Sequence, residues 1–456
     1  MDRVTNGERM DEKDYDNLVF KKCSERVRDY GIRREPDTPV PSDDQLADSL
    51  YEAALQLAVE VGGYCIDTGR VIKITEDEIK ESLRETRKEV TAGQGKESRK
   101  IAARKPEEAT SLFFMGGTFA PYTEDVAPLI AKAMAMLPID GMAGFNFRQI
   151  AGRSISDMPL ETWANRREME WAREGIVRAG KPGLHVLNYP ISPRAATIIG
   201  VLNPEYVRRT DGVMISPLPE LFKIDYDTLT ADIAAREYGC LIESNVISMA
   251  GGYAGGYEGS ALVGVAGSLL ANAILFPDSV CLETGMHCLN PDLWAIPEMR
   301  WAHNLSIQAL ARNTLVKTRP SACTSSEPGT LQCLMEIAYS AIGLVASGAS
   351  AIFTSRPIRP KRVNLPTPME AKWGLEIADG ALGMSREEAN EFVKKIQVPR
   401  EKLEIQLKGK GFQESYDLNK LTPNAEYQEI YESAKRQLSD LGFSFRTEIE
   451  HHELRL

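Results

Sequence analysis

Carboxylate and amide side chains stand at the ends of two short apolar runs, where they could act on a small molecule. The run that begins at Cys240 reaches Glu243 and Asn245, and the run 279–282 is followed by Glu283. In parallel α/β folds, ligands bind at the carboxyl ends of the strands. We therefore take Glu243, Asn245 and Glu283 as candidate catalytic residues.

A glycine-rich segment follows Asn245 and precedes a long apolar stretch. Its members are Gly251, Gly252, Tyr253, Gly255 and Gly256. Glycine lets a backbone come close to another molecule, so the segment indicates a binding loop; a structural turn without a ligand is the alternative. The spacing is not that of the dinucleotide fingerprint and no Walker loop is present, which disfavours NAD and nucleoside phosphates.

The elements that must position these residues are short apolar runs separated by helical patterns. The eight candidate strands are 112–115, 138–142, 183–187, 212–215, 240–243, 279–282, 314–317 and 351–354. Eight strand–helix repeats in roughly 250 residues are typical of an α/β (β/α)8 TIM barrel. A doubly wound open sheet is the main alternative.

We divide the chain into a helical N-terminal extension (1–110), the barrel (111–382) and a helical C-terminal extension (383–456). In the first extension we predict a helix over 42–61, a hairpin-like break at 64–73, a capping box at Thr75 and Glu78, and a mobile basic loop over 93–105. In the last, 424–441 predicts an amphipathic helix.

In a TIM barrel, residues just past each strand converge on one mouth. Here they are Gly116, Gly117, Thr118, Asn146, Asn188, Tyr189, Ser216, Glu243, Asn245, Glu283, Arg319, Ser321, Cys323, Ser355 and Arg356. Carboxylates, arginines, an aromatic ring and several amides or hydroxyls make a plausible active site.

The composition of the chain disfavours several classes of function. The chain has 65 acidic and 54 basic residues and a net charge of −11, which disfavours nucleic acid as a partner. Seven cysteines without framework spacing suit free thiols in a reducing cytoplasm. The N-terminus lacks a signal-peptide pattern, and the apolar run 261–276 is short for a membrane span. We expect a soluble, cytoplasmic protein.

No metal site is predicted. Cys281, His287, Cys288 and Cys323 lack the spacing of zinc ligands. His185 lies inside an apolar run, which favours a hydrogen-bonded residue of the core or the barrel lining over a catalytic base.

Several motifs, in order along most of the chain, resemble those of the monomethylamine:corrinoid methyltransferase family. They are Gly63–Arg70, Ile74–Ile79, Gly116–Thr118, Thr123–Val126, Gly180–Gly183, Gly251–Gly256, Phe412–Asp417 and Thr422–Tyr427. The resemblance implies a TIM barrel assembled as a hexamer, which moves a methyl group from an amine to the Co(I) corrinoid of a small partner protein. It implies that no cofactor is bound permanently and that the glycine segment contacts the corrinoid.

The pocket residues depart from that family. Its pyrrolysine falls on Leu187, and its active-site glutamate falls on Asn245, with Glu243 two residues away. An earlier family glutamate falls near Ile215, and a glutamine and a tyrosine fall near Ser321 and Cys323. A changed pocket on a retained scaffold predicts a different substrate.

We predict a quaternary or zwitterionic methylated amine as that substrate. Such a cation departs as a neutral amine, so it needs less help than monomethylammonium. The ring of Tyr189 could contact the cation, Glu243 or Glu283 could balance its charge, and Arg319 or Arg356 could pair with a carboxylate. The candidate substrate-binding residues are Leu187, Tyr189, Arg319, Ser321, Cys323 and Arg356.

Leu187 is expected at the mouth near Tyr189 and Glu243. The alternatives are a barrel lyase or hydrolase that uses no corrinoid, and a catalytically idle homologue. We expect a homo-oligomer, because long helical extensions must bury their apolar faces.

Overall fold

The computed structural model describes residues 1–117, 120–155, 158–192, 194–215, 222–289, 292–357, 362–400 and 404–446, with the backbone alone for 158 and 355–357. Eight parallel strands form its centre. They are β1 (Phe113–Gly116), β2 (Gly141–Ala143), β3 (His185–Asn188), β4 (Gly212–Ile215), β5 (Leu241–Ala250), β6 (Ser279–His287), β7 (Ser321–Thr324) and β8 (Ala351–Pro357).

The strands follow one another around the sheet in chain order, β1 to β6 on one side, with β8 and then β7 beyond β1. A parallel bridge between Val280 and Thr318 joins β6 to the segment that leads into β7. This bridge closes the sheet, which confirms the predicted (β/α)8 barrel and excludes the open sheet.

Seven of the predicted strands overlap observed ones, and the prediction of a strand at 314–317 is wrong. The helix before it ends at Asn313, and Thr314 is its C-cap. Strand β7 begins only at Ser321. Its four residues, Ser-Ala-Cys-Thr, are small and only partly apolar, so the more hydrophobic linker before it gave the stronger signal.

The polar residues of β5 and β6 were also misplaced. Glu243 and Asn245 were expected just past the end of a strand, but they are the third and fifth residues of the ten-residue β5. Glu283 is likewise inside the nine-residue β6. A charged residue ended each apolar run in the sequence, whereas inside a barrel a paired polar side chain can line the interior without ending the strand.

The helices surround the barrel and form both extensions. They are Asp2–Asn6, Glu12–Asp29, Asp44–Val61, Glu76–Glu85, Ala127–Met136, Met158–Arg178, Ala195–Val201, Tyr226–Tyr238, Tyr257–Leu275, Pro297–Asn313, Leu331–Ala346, Pro368–Gly380, Arg386–Val393, Phe412–Ser415 and Ala425–Asp440, with a 3-10 turn at Gly95–Glu97. Short strands lie at Gly63–Cys65, Arg70–Ile72, Glu89–Ala92, Arg99–Ala102, Gln149–Ile150, Arg153–Ser154, Lys223–Ile224, Tyr416–Asp417 and Thr422–Pro423.

Local signals were accurate in the extensions. The capping box at Thr75 and Glu78 is present, and Asn424 caps the C-terminal helix Ala425–Asp440. The expectation of a loop over 93–105 is wrong for Arg99–Ala102, which is a strand that pairs antiparallel with Glu89–Ala92. The hairpin is ordered because Val90 and Ile101 are buried in the barrel's own apolar cluster.

Both extensions bury their apolar faces against the same chain. The helices Glu12–Asp29 and Asp44–Val61 pack on each other and on Tyr257–Leu275, and Ala425–Asp440 packs on Leu331–Ala346. Tyr431 donates a hydrogen bond to Glu376 Oε2 over 2.5 Å. The extensions therefore do not by themselves require a partner chain.

The helix Tyr257–Leu275 is the one described helix that is long and apolar enough to cross a membrane. Most of it is buried, between β5 and β6 on one side and the N-terminal helices on the other. It is a core helix, as the sequence predicted.

Candidate functional site

An ion pair crosses the amino-terminal half of the barrel. Glu243 in β5 accepts two hydrogen bonds from Arg319, at 2.7 Å from Nε and 2.5 Å from Nη2. Ser279 Oγ donates a third to Glu243 over 3.2 Å. Both charged residues are buried, so each neutralises the other in a place that water does not reach.

The surroundings of the ion pair favour the charged state of Arg319. Burial opposes the charge, but Cys281 and Glu243 outweigh it and raise the pKa of Arg319 above its ordinary value. The Arg319 guanidinium also lies 5.5 Å from the centre of the Phe353 ring. The pair fixes β5 against the segment that leads into β7.

The hairpin Glu89–Ala102 covers this end of the barrel. Its Val90 and Ile101 pack with Phe113 and other interior residues, and the remaining cavity, next to Glu243 and Arg319, is about 20 Å³. That volume is about the size of one water molecule. This half of the barrel is a closed core.

Leu187 lies inside the barrel, in the apolar cluster that also contains Val90 and Ile101 of the hairpin. It is 2% exposed and clusters with Met115, Met214 and Phe353. The cavity beside Glu243 is partly lined by Leu187, and Tyr189 packs against the same cluster. Leu187 therefore faces the interior, although in a closed layer and not on an open surface.

Glu283 is the centre of the carboxyl-terminal half. It is fully buried, and two thiols flank its carboxylate: Cys281 Sγ is 3.9 Å from Oε1 and Cys323 Sγ is 3.8 Å from Oε2. The side chain of His303 lies 3.9 Å from Glu283 Oε2. The barrel thus brings together two sequence-predicted residues, Glu283 and Cys323, with a histidine that the sequence did not suggest.

His303 enters where β6 and β7 separate. Beyond Val280 the described residues show no further ladder between these strands. The carbonyl of Leu282 there lies 2.7 Å from His303 Nε2, which donates to it. Burial, and then Arg300, lower the pKa of His303 to about 3, so the imidazole is neutral.

Arg300, one turn before His303 on the helix Pro297–Asn313, occupies the same opening. It is 1% exposed, and its Nη2 donates to the carbonyl of Trp294 over 2.8 Å. Its Nε and Nη1 have no hydrogen-bond partner. Desolvation lowers the pKa of Arg300, while Cys323 and Glu283 act in the opposite direction.

Two further polar residues of the helix Leu331–Ala346 complete this cluster. Glu336 Oε2 accepts from the backbone N–H groups of Ser325 and Ser326, at 2.5 and 3.2 Å, and its Oε1 has no partner. Desolvation raises the pKa of Glu336 to about 7. The buried hydroxyl of Tyr339 also has no partner, and Arg300 lies near enough to act on it electrostatically.

Sequence reasoning missed Arg300, His303, Glu336 and Tyr339, because it considered only strand ends. A signal was present: both helices are buried nearly throughout, so their charged residues needed a partner or a task. We define Glu283, Arg300, His303, Cys323, Glu336 and Tyr339 as the upper cluster.

The glycine segment forms the turn between β5 and the helix Tyr257–Leu275. Gly251 and Gly255 have φ of 82° and 74°, which disfavours other residues. A Cβ on Gly251 would meet the His287 ring at 2.6 Å, whereas nothing lies within 4 Å of one on Gly255. Tyr253 is 41% exposed. The segment is an open edge of the mouth with little side-chain cover.

Tyr189 lies at the mouth beside β4. With Met214, Ile215 and the residues that follow β3, it lines a largely apolar cavity of about 280 Å³. Asn188, in contrast, turns to the helical layer, where its Nδ2 donates to Glu168 Oε2 over 2.9 Å. Glu168 also accepts from the N–H of Phe145, and burial holds its pKa well above the usual value.

The other expected mouth residues are dispersed. Gly116 ends β1, and a Cβ on Gly117 would meet the Ala143 carbonyl oxygen at 2.5 Å. Asn146 pairs through its backbone with Pro121. Ser321 is buried in β7. Thr118, Ser216 and the side chains of Ser355 and Arg356 lie outside the described residues.

Within the described part of the chain, no group of three or more His, Cys, Asp or Glu side chains could hold a metal ion. Cys281 and Cys323 flank Glu283, while His287 and Cys288 lie beyond it at the end of β6. Among the described residues, the upper cluster thus combines the carboxylates of Glu283 and Glu336 with the guanidinium of Arg300, whose Nε and Nη1 have no hydrogen-bond partner.

The family model described as monomethylamine methyltransferase MtmB matches residues 1–443. Among similar proteins, monomethylamine methyltransferase MtmB2 of Methanosarcina acetivorans is 28% identical over 465 residues, covering 97% of each chain. MtmB1 of Methanosarcina barkeri is also 28% identical with the same coverage.

Two solved structures of MtmB have the same fold as this chain. The crystal structure of the Methanosarcina barkeri monomethylamine methyltransferase superposes with a TM-score of 0.91, at 27% identity and 97% coverage of both chains. The hydroxylamine complex of MtmB superposes with a TM-score of 0.92. The likeness extends over the barrel and both extensions.

Proposed function

Because this chain belongs to the monomethylamine methyltransferase MtmB family, we propose that it moves a methyl group from a methylated amine, quaternary or zwitterionic, to the Co(I) corrinoid of a partner protein. Family membership makes it a methyltransferase of the methylamine type that works with a corrinoid protein. The substrate and the residue roles are our proposals. The carrying observation is the upper cluster: a buried carboxylate and an unpaired guanidinium at the mouth of a barrel whose other half is sealed.

The corrinoid, when its carrier is docked, supplies the nucleophile that accepts the methyl group. The new bond joins methyl carbon and cobalt, the C–N bond breaks, and its electron pair stays on nitrogen. A quaternary ammonium leaves as a neutral tertiary amine, so this protein need not supply a proton. Its work is to bind the cation, orient the methyl group and exclude water.

Glu283 is proposed as the counter-charge of the substrate cation. It faces the interior between Cys281 and Cys323, where a low local dielectric strengthens its attraction for an ammonium group. Tyr189, at the mouth, offers its ring face to the methyl groups. Asn245, on the neighbouring strand, is retained as a second polar contact.

Glu243 and Arg319 are assigned a supporting role within this proposal. Their bidentate pair occupies both carboxylate oxygens and two guanidinium nitrogens. We therefore assign the counter-charge to Glu283 and not to Glu243, whose carboxylate already pairs with Arg319.

We propose that the glycine segment receives the edge of the corrinoid, a broad, flat macrocycle. Gly251, Gly252, Gly255 and Gly256 would hold its edge through their backbone, because this turn is exposed and a Cβ at Gly255 would meet nothing. Replacing Gly255 by valine, beyond the strain at positive φ, would put a branched side chain on that edge.

The test is methyl transfer to free cob(I)alamin and to a reduced corrinoid protein. Monomethylamine, dimethylamine, trimethylamine, tetramethylammonium and N,N,N-trimethylglycine are offered separately, and the methylated corrinoid is followed by absorbance. Turnover with a quaternary amine supports the proposal. Turnover with monomethylamine alone would overturn the substrate assignment.

The matched variants are Glu283→Gln and Asp48→Asn. The first removes the proposed counter-charge, while the second changes a surface partner of Arg312 far from the mouth. Loss of transfer in the first with an unchanged rate in the second is expected. A corrinoid-independent lyase or hydrolase would instead keep its activity without any corrinoid present.

A homo-hexamer in the cytoplasm completes the proposal. Its support is the resemblance to the family, since the extensions are buried within one chain. Light scattering of the purified protein tests it, and a monomeric mass near 50.5 kDa would contradict it.

A further inference from the structure

The cavity beside Tyr189 offers more space than the methyl groups of a small amine would fill. Its volume is about 280 Å³, against about 20 Å³ for the closed cavity next to Glu243. The proposed function uses only the ring of Tyr189, at one edge of this cavity. The rest of the space is therefore available to another part of the ligand.

The cavity lies between the barrel interior and the helical layer. Tyr189 and Met214 line it, and Met214 belongs to the apolar cluster of the barrel interior, against which Tyr189 packs. On the other side, the helices Ala195–Val201 and Tyr226–Tyr238 contribute Ile198 and Ala231. A ligand held at Tyr189 thus has this cavity beside it, on the side away from the barrel axis.

The lining of the cavity favours an apolar group. Most of the lining is supplied by Pro190, Ile191, Ile198, Met214, Ile215 and Ala231. The hydroxyl of Ser192 already donates to Glu161 Oε2 over 2.8 Å, and that of Thr197 donates to main-chain carbonyls. An apolar chain that leaves water for such a lining gains about threefold in affinity for each methylene group buried.

The charge of the lining decides which end of the ligand enters. Among the described residues that line the cavity, Arg194 is the one with a charged side chain. Its Nη1 lies 3.7 Å from Glu161 Oε2, and the side chain is 48% exposed. A cation inside the cavity would lose its water without an opposite charge from the lining. The ammonium group should therefore stay at the ring of Tyr189, with an uncharged chain inside the cavity.

We propose that this cavity binds an apolar substituent on the nitrogen of the methylated amine, so that the substrate carries an alkyl or aryl group larger than methyl. This proposal rests on the proposed function, because it names the substrate class of the same site. In the transfer, the methyl carbon bonds to cobalt, the C–N bond breaks with its electron pair on nitrogen, and the neutral tertiary amine that leaves keeps the larger substituent.

The experiment compares tetramethylammonium, butyltrimethylammonium, benzyltrimethylammonium and (4-aminobutyl)trimethylammonium. Binding to the protein without corrinoid is measured by titration calorimetry, and methyl transfer to cob(I)alamin is measured in parallel. The wild-type protein is expected to bind the butyl and benzyl compounds at least about tenfold more tightly than tetramethylammonium. The aminobutyl compound should lose this gain, because its second ammonium group would enter an apolar cavity beside Arg194.

Two variants fill the cavity from different helices. Ala231→Leu and Ile198→Phe should each lower the affinity for butyltrimethylammonium to near that for tetramethylammonium, whose own binding and transfer should change little. Ala234→Leu is the matched control, since Ala234 is on the same helix as Ala231, is partly exposed and does not line the cavity. This control should keep the wild-type preference.

The failure of this proposal is distinguishable from the failure of the proposed function. Equal affinity of the wild-type protein for the butyl compound and tetramethylammonium, or a preference that survives in both filling variants, overturns the cavity assignment even if methyl transfer proceeds. Absence of transfer from every methylated amine overturns the proposed function, whereas a preference that Ala231→Leu removes still supports the cavity as a binding site. If one filling variant does not fold, the other variant and the wild-type comparison decide.

Discussion

The two halves of the barrel treat buried charge in opposite ways. In the amino-terminal half, Glu243 and Arg319 form a bidentate ion pair that leaves only Nη1 of the guanidinium without a partner, and the hairpin closes the end. In the carboxyl-terminal half, Arg300, Glu336 and Tyr339 keep polar atoms without partners. The barrel strands and the segment before β7 thus carry a paired charge, whereas the polar atoms without partners in the other half come from the helices Pro297–Asn313 and Leu331–Ala346.

The difference teaches how to separate structure from function in this fold. The cavity of about 20 Å³ beside the ion pair has no room for a ligand larger than a water molecule. Unpaired donors beside a carboxylate cost stability and persist in a folded protein when a ligand or ordered water completes them. We expect substitutions in the amino-terminal half of the barrel to change stability and those in the carboxyl-terminal half to change ligand binding.

The largest expected effect is that of Arg319→Met. It leaves the Glu243 carboxylate buried without its cation, which should lower the free energy of unfolding by about 3–5 kcal/mol. Urea denaturation followed by circular dichroism measures the loss. The double variant Arg319→Met with Glu243→Gln is expected to recover part of it, and equal stability of both variants would contradict the ion-pair interpretation.

Leu187→Ala should be the next most costly. Removal of a buried leucine from the apolar interior of the barrel leaves a cavity, and the expected loss is about 2–5 kcal/mol. The larger interior should also relax selectivity among amine substituents while corrinoid binding stays nearly unchanged. A variant that keeps wild-type stability would show that the layer is not closed. Val177→Ala, at a side chain that is 53% exposed, is the matched surface control.

The buried carboxyl group of Glu336 should make the free energy of unfolding depend on pH. Desolvation raises its pKa to about 7 in the folded protein, above the value near 4.5 of the unfolded chain, so folding takes up a proton between these pH values. The contribution to stability is complete below about pH 4.5 and is lost as the pH rises through about 7.

The expected contribution of Glu336 is on the order of 3 kcal/mol at most. It is measured as the difference in unfolding free energy between wild type and Glu336→Gln at pH 5 and pH 8. His303, whose pKa is lowered to about 3, affects both proteins with the opposite sign and cancels. An identical pH dependence in the two proteins would exclude Glu336 as the titrating group.

Glu283→Gln should have the smallest effect on stability, about 1 kcal/mol or less, because amide and carboxyl have nearly the same shape. Methyl transfer is nevertheless expected to fall by about a hundredfold, as for loss of one preorganised electrostatic contact. Thermal denaturation and the corrinoid assay together test this. A stability loss as large as that of Arg319→Met would erase the contrast between the two halves.

Strand–helix alternation predicted the barrel because each repeat is a local pattern of apolar residues. It failed for β7, whose short segment Ser321–Thr324 is weakly hydrophobic. It also failed for the hairpin Glu89–Ala102, whose polar, glycine-containing sequence is ordered only because Val90 and Ile101 enter the barrel.

The residues of the candidate site also differ in whether the sequence could predict them. Glu283 and Cys323 were identified correctly as neighbours in the barrel, since both follow or lie in predicted strands. Arg300 and His303 were not, because they reach the interior from a helix through the opening between β6 and β7. No spacing along the chain records that opening, which arises from the closure of eight strands at the single bridge between Val280 and Thr318.

By itself, the sequence determined the fold class, the capped helices of the extensions and the family resemblance. Periodicity and capping depend on residues a few positions apart, and the order of the motifs can be read directly from the chain. Only the tertiary structure decided which charges are satisfied. Glu243 and Arg319 are separated by 76 positions, and their pairing depends on the curvature that brings β5 near the segment before β7. The fold likewise buries the guanidinium of Arg300, whose Nε and Nη1 have no hydrogen-bond partner among the described residues.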